Sequence, residues 1–312
     1  MFRRLVFPLA LTLVGLGLTY RPALAHDGEP HGAAGWWAAW TFEPAVILLL
    51  AVTLLLYARG WRALARRPGG ASIQLKGRTW AFAGGMAALM IALISPIDGL
   101  AGELFWVHML QHNLLMLVAA PLLALSYPLA PMLLGLPEGA RRRLGQGWRR
   151  MSLLRGLWGL VSSPPAVWLL QAFLLWIWHA PVLYGAAVDN EWVHAAQHFS
   201  FLGSALLFWW VTLHTFGARS AYRGAGILYL FTTALHSGLL GALLTFSPRI
   251  WYQVYIGRAE TWGITALVDQ QLAGTIMWVP SGMVYLAAAL WLMKTWLDSI
   301  ESREETVFRE EH

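Results

Sequence analysis

Cysteine is absent from the 312 residues, which excludes disulfides, thiolate metal sites and thiol catalysis. Charge is nearly as scarce. Asp, Glu, Lys and Arg make up 12% of the chain, against about 25% in soluble domains. A chain so poor in charge cannot cover a water-facing surface, so a secreted globular enzyme and a disordered chain are both excluded. Acidic residues are the rarer sign, 16 against 22 basic, and the net charge of +6 superficially suits a nucleic-acid binder. The basic residues, however, lie in short loops between apolar runs, where they set membrane topology; no nucleic-acid partner is expected. Apolar residues dominate, with 58% hydrophobic, a mean hydropathy of +0.54 and 19 Trp. Trp collects at bilayer interfaces. The composition is that of an all-α polytopic membrane protein whose main partner is the lipid bilayer. Ten His and ten Met remain as ligands, so a metal site must use imidazole, thioether, carboxylate or backbone groups.

Residues 1–25, MFRRLVFPLALTLVGLGLTYRPALA, read as a signal peptide. Arg3 and Arg4 form the basic start, an apolar stretch follows, and Ala23-Leu24-Ala25 is a small-x-small cleavage site. An uncleaved first helix is the alternative, which Pro8, Gly15 and Gly17 disfavour. Cleavage would leave His26 at the head of an exported segment, 26–41, that also carries His31. Those two histidines read as parts of a polar tail, although a terminal His can offer both amine and imidazole to a metal.

Apolar runs of about 20 residues cross about 30 Å of hydrocarbon. They fall at 42–58, 79–97, 104–126, 165–185, 192–215, 225–246 and 270–296, which predicts a seven-helix transmembrane domain over 42–296. Arg59, Arg62, Arg66, Arg67, Lys76 and Arg78 follow the first run; Arg141, Arg142, Arg143, Arg149, Arg150 and Arg155 follow the third. Arg219 and Arg223 follow the fifth, and Lys294, Arg303 and Arg309 end the chain, whereas the opposite loops hold Arg249 and Arg258. This asymmetry predicts an N-out, C-in protein of the cell (inner, cytoplasmic) membrane, with 297–312 as a cytoplasmic tail. The proline-bearing segment 127–163 reads as an interfacial loop with a short amphipathic helix.

Ionisable residues inside spans are costly and point to function. The third run contains Trp106-Val107-His108-Met109-Leu110-Gln111-His112, and the fifth Trp192-Val193-His194-Ala195-Ala196-Gln197-His198. The shared W-V-H-x-x-Q-H, in two helices of the same direction, suggests a parallel internal repeat of helices two–three against four–five. His at i and i+4 share one helical face, so two such helices side by side could turn four imidazoles to one cavity. Imidazole suits copper, zinc and iron. The plainer alternative is two hydrogen-bonded His clusters that glue helices together. The intervening Gln could hold a second ring nitrogen or a water. His112 and His198 lie about 6 Å deeper than His108 and His194, at about 1.5 Å per residue. His236, among small residues in the sixth run, and Asp269 and Met277, eight apart in the seventh, are further candidates. Met116 continues the His108–His112 stripe and reads as packing, His179 as part of a helix end, and His214 as interfacial. Pro280, Gly274 and Gly282 interrupt the seventh helix, where a kink could free backbone carbonyls toward a cavity; plain packing is an equal alternative.

The blocks SPIDGLAGELFWVHMLQHNLLM, WHAPVLYGAAV, WVHAAQHFSF, ALHSGLLGALLTFSP and DQQLAGTIMWVPSG resemble the CtaG family, the multi-helix cytochrome c oxidase assembly factors associated with caa-type oxidases. The resemblance covers about residues 40–296. It implies a chaperone-like role in maturing a haem-copper oxidase, with copper handling suspected, and it places His108, His112, His194, His198, His236 and Asp269 in the family's polar positions. The signal peptide and the His-bearing start depart from the pattern. On this reading the chain is a non-enzymatic assembly factor that binds copper through His108, His112, His194, His198, His236, Asp269 and Met277. Its partners are then the oxidase subunit that carries the active-site copper and an exported copper donor. The alternative is a haem-binding membrane electron-transfer protein, since paired His also holds bis-imidazole haem. A third class, an intramembrane hydrolase, would need Glu103 or Glu191 as base, and both sit at the boundary.

Overall fold

The computed structural model describes residues 35–66 and 73–311. The predicted signal peptide, His26 and His31 lie outside these residues. Helices α1 (Pro44–Ala65), α2 (Ile73–Leu93) and α3 (Pro96–Ala101) lead into α4 (Phe105–Ser126). Short helices α5 (Leu129–Gly135), α6 (Glu138–Arg150) and α7 (Ser152–Val161) follow, then α8 (Pro164–Trp178) and α9 (Pro181–Asp189). Three long helices complete the chain: α10 (Glu191–Phe216), α11 (Arg223–Phe246) and α12 (Ala266–Glu311). No strand occurs among the described residues.

Five helices, α1, α4, α10, α11 and the Ala266–Ser302 part of α12, are long and apolar enough to cross a membrane. A sixth is reached if α7 and α8, bent by 72°, form one broken span. Seven runs were expected. The second run is helical as α2, but Lys76 and Arg78 occupy its first turns, and it falls short of the same apolar standard. The run 165–185 is not one helix. Pro181 holds Ala180 in an extended conformation (φ −62°, ψ 127°), because the proline ring disfavours the α region for the residue before it. The chain therefore turns at His179 and restarts as α9. The segment 127–163 is more ordered than an interfacial loop, with three helices in place of one.

The bundle is organised around α4, whose most apolar stretch is 61% buried against 17% for α1. It packs against α2, α3, α10 and α12. Two close approaches rest on glycine. A Cβ on Gly60 would lie 1.6 Å from the carbonyl oxygen of Pro131, and one on Gly135 would lie 2.1 Å from that of Leu56. Backbone meets backbone there, so nothing can step aside. Gly60→Ala is expected to push α1 off α5 and to destabilise the chain by about 1–3 kcal/mol or more. Unfolding in mixed detergent–SDS micelles measures this; an unshifted midpoint would mean that the two helices do not meet.

Proline shapes α12 as well. Pro280 has no N–H, so the carbonyl of Ile276 loses its helical partner. Asn113 of α4 supplies the missing donor, its Nδ2 lying 2.6 Å from that oxygen. The expected freed carbonyl exists and is spoken for by a side chain.

Candidate metal centre

The site begins with two helix starts that need caps. The first amides of a helix have no partner of their own. In α10 the residue before the helix is Asn190, whose side-chain oxygen accepts from the amides of Trp192 (3.0 Å) and Val193 (3.1 Å). In the repeated motif the matching position before α4 is Leu104, which has no acceptor. The cap comes from far along the chain: Asp269 of α12 accepts from the amides of Phe105 (2.8 Å) and Trp106 (2.9 Å). Asp269 is fully buried, and the positive end of α4 faces its carboxylate. Both oxygens are engaged with backbone, so Asp269 positions α4 and does not stand among the imidazoles. Just before α12, exposed Glu260 ties down the connecting loop. The amide of Ala266, its own amide and that of Gly257 hold its carboxyl below the usual carboxylate range.

With α4 and α10 held in place, the two His pairs meet. His108 and His112 are buried, at 1% and 4% exposure, and their Nε2 atoms are 3.0 Å apart. The His198 ring centre lies 5.4 Å from that of His112 and 6.0 Å from that of His108. The His194 ring centre is 5.1 Å from that of His108 and 4.0 Å from that of His198. One ligand nitrogen from each of His108, His112 and His198 falls within 4.8 Å of the others. An ion held at about 2.0–2.1 Å in tetrahedral geometry would set its nitrogens about 3.3 Å apart. The His108–His112 pair is thus already close to ligand spacing, and the widest separation must shrink by at most about 1.5 Å.

A tyrosine roof fixes the ring orientations. Tyr255 donates to the carbonyl of Ala101 (3.0 Å), which uses its one proton. Its oxygen then accepts from Tyr184 (3.2 Å) and from Nδ1–H of His108 (3.3 Å). His108 is left with an Nε2 lone pair, which receives Nε2–H of His112. That in turn leaves a lone pair on Nδ1 of His112, buried and without a hydrogen-bond partner, as is Nε2 of His198. A ligating His normally donates its other ring N–H to an oxygen, which fixes the tautomer, and His108 does so. Phe105 packs between Tyr184, Tyr252 and Tyr255, and Arg258 reaches the carbonyl of Gly102 and the carboxylate of Asp189. The roof therefore joins α3, α9 and the 247–265 loop.

The other expected residues lie apart from this cluster. Gln111 does not serve the imidazoles; its Nε2 donates to the carbonyl of Ala92 and to Asp98. His236 packs edge-on to Trp168, centres 5.5 Å apart, and shares a separate small cavity with Met277 and Met116. His179 ends α8 with Nδ1–H donating to the carbonyl of Leu175 (2.7 Å). His214 bridges Tyr127 and the carbonyl of Ala124. Tyr184, Tyr255 and the trans cap went unseen in the sequence. The tyrosines sit in apolar or loop context with no spacing signal, while Leu104 opposite Asn190 in the two motif copies was a legible clue that an acceptor was missing.

A family model described as cytochrome c oxidase caa3 assembly factor matches residues 55–299. Uncharacterized proteins of Mycobacterium bovis and Mycobacterium tuberculosis are each 26% identical over 278 residues, 85% of this chain and 41% of theirs. One of Mycobacterium leprae is 23% identical over 278 residues, 86% of this chain and 41% of its own. The chain thus spans about two-fifths of the length of these curated relatives. No solved structure matches it.

Proposed function

Since the chain belongs to the cytochrome c oxidase caa3 assembly factor family, we propose that it carries copper for that oxidase on the cluster of His108, His112, His194 and His198. The observation that supports this most is the convergence of imidazole nitrogens from α4 and α10 inside apolar helices. His236, Met277 and Asp269 play other parts: the first two line the cavity beyond the cluster, and Asp269 sets the position of α4. Neutral imidazoles, with no carboxylate among them, suit a soft monovalent ion over a divalent one, whose charge would go uncompensated.

The cluster is asymmetric, and the asymmetry suits delivery. The α4 pair is buried, whereas His194 and His198 are partly exposed and flanked by exposed Trp192, Ala195, Ala196 and Phe199. Copper held by the α4 pair would leave through the α10 side, along the plane of the bilayer, toward an oxidase subunit that takes copper within the membrane. An exported donor would supply it from the tyrosine-roofed face. The role is assembly, with no substrate turned over.

The packing favours an ion over the haem alternative. The four rings stand within 4.0–6.0 Å of their neighbours, and fully buried Phe201 closes on His112 at 4.8 Å. A macrocycle between them would have to displace that core. Purification from a copper-supplied host separates the readings. Copper without haem is expected; a Soret band would overturn the copper reading.

A further inference from the structure

Beyond the imidazole cluster α4, α8, α11 and α12 line a cavity of about 30 Å³, room for one water or one small ion. Met116, Met277, His236, Gln171 and Asn113 are in its wall. We propose that this cavity is a second copper site, distinct from the imidazole cluster, in which Cu(I) is held by the sulfurs of Met116 and Met277 and a ring nitrogen of His236. The choice of copper rests on the function proposed above; the site itself rests on the cavity.

Three features carry it. The wall presents polar atoms with nothing to bind. Both ring nitrogens of His236 and Oε1 of Gln171 are buried without a hydrogen-bond partner, and Gln171 is 4% exposed. Buried polar groups in native proteins are otherwise nearly always paired. The wall also brings together two thioethers from different helices, with Met116 8% and Met277 6% exposed. Thioether sulfur selects Cu(I), and the unbranched Met side chain can adjust to a ligand. Finally, no Asp, Glu, Lys or Arg side chain lines the cavity. A divalent ion would carry two uncompensated charges into the membrane interior, which is far more costly than one.

The surroundings place this cavity next to the first site. His108, His112 and Met116 are spaced four residues apart along α4, so Met116 lies about one turn beyond His112. The backbone from Leu114 to Ala119 is π-helical, a distortion frequent at functional sites, and the Met116 carbonyl accepts from Nε1 of Trp209 (2.9 Å). On the other wall, the Asn113 bond to Ile276 at the Pro280 break anchors the residue just before Met277. Copper on the stripe would thus have two stations, nitrogen-rich and then sulfur-rich.

The test uses the full-length protein in detergent, titrated with Cu(I) against a competing chromogenic chelator and followed by X-ray absorption. About two Cu(I) per chain, with both sulfur and nitrogen scattering, are expected. Met116→Leu with Met277→Leu, which nearly conserves volume, should leave about one and remove the sulfur shell. His198→Ala should do the converse and keep the sulfur-bound ion. Copper bound by nitrogen alone in the wild type, or stoichiometry unchanged in the double Met variant, would overturn the second site and leave the cluster reading standing. Total copper and the nitrogen scattering both unchanged by His198→Ala, with the sulfur-bound ion still lost in the double Met variant, would overturn the cluster reading and support the second site. A protein that binds no copper would overturn both, and the cavity would then be a water site or simple packing.

Discussion

His198→Ala is expected to abolish oxidase maturation while the protein stays inserted and folded, and His112→Ala is expected to do the same at a somewhat greater structural cost. Changes outside a metal's immediate ligands already cost about 10–100-fold in affinity, so loss of one imidazole should cost at least the upper end of that range. The folds should differ in tolerance. Nε2 of His198 has no hydrogen-bond partner, so its removal costs no hydrogen bond at that atom and loses the ring contacts with His108, His112 and His194. His112 donates to His108, and its loss leaves a buried acceptor unpaired, at about 1–3 kcal/mol. For scale, interhelical hydrogen bonds in a membrane protein average about 0.6 kcal/mol. Copper per purified chain and oxidase activity in the same membranes are the two readouts. Full copper and full maturation in both variants would mean that the imidazoles are helix glue, and the site assignment would fall.

The cluster was legible because its information is local. An i, i+4 pair fixes a shared face within one helix, and the repetition of W-V-H-x-x-Q-H advertises two such faces. What the spacing could not supply was which neighbours complete each pair. Gln111 and Gln197 are equivalent in the motif, yet Gln111 is drawn away by Ala92 and Asp98, while Gln197 stays fully buried near His108. The interruption of the fourth run was also written in the chain, as Pro181 after Ala180, but an apolar count passes over backbone preferences. Hydropathy likewise treats 127–163 as a gap between spans, although its Arg-rich face and its Leu153, Leu157 and Leu160 suit helices lying along an interface. Long-range partnerships were the least legible of all. Asp269 caps a helix that starts 164 residues earlier, and an acidic residue at the head of a span looks the same from sequence whether it faces a metal or an amide.

That distinction makes Asp269→Ala the most informative single change outside the imidazoles. It would leave the buried amide of Phe105 and the part-buried amide of Trp106 without acceptors, because Leu104 cannot replace the cap. Each orphaned donor costs about 1–3 kcal/mol, so the loss should reach about 2–6 kcal/mol, with a further small contribution from the lost charge at the positive helix end. Asp269→Asn keeps one acceptor oxygen but turns an NH₂ toward the second amide, so it should recover about half of that loss. Unfolding in mixed detergent–SDS micelles reports the stability. Copper affinity, measured on the fraction that remains folded, reports the geometry, since α4 carries His108 and His112 within its first three turns. A positioning cap predicts that the two losses rise together from Asn to Ala. A metal ligand predicts copper lost in both variants at wild-type stability, and that result would return Asp269 to the coordination sphere.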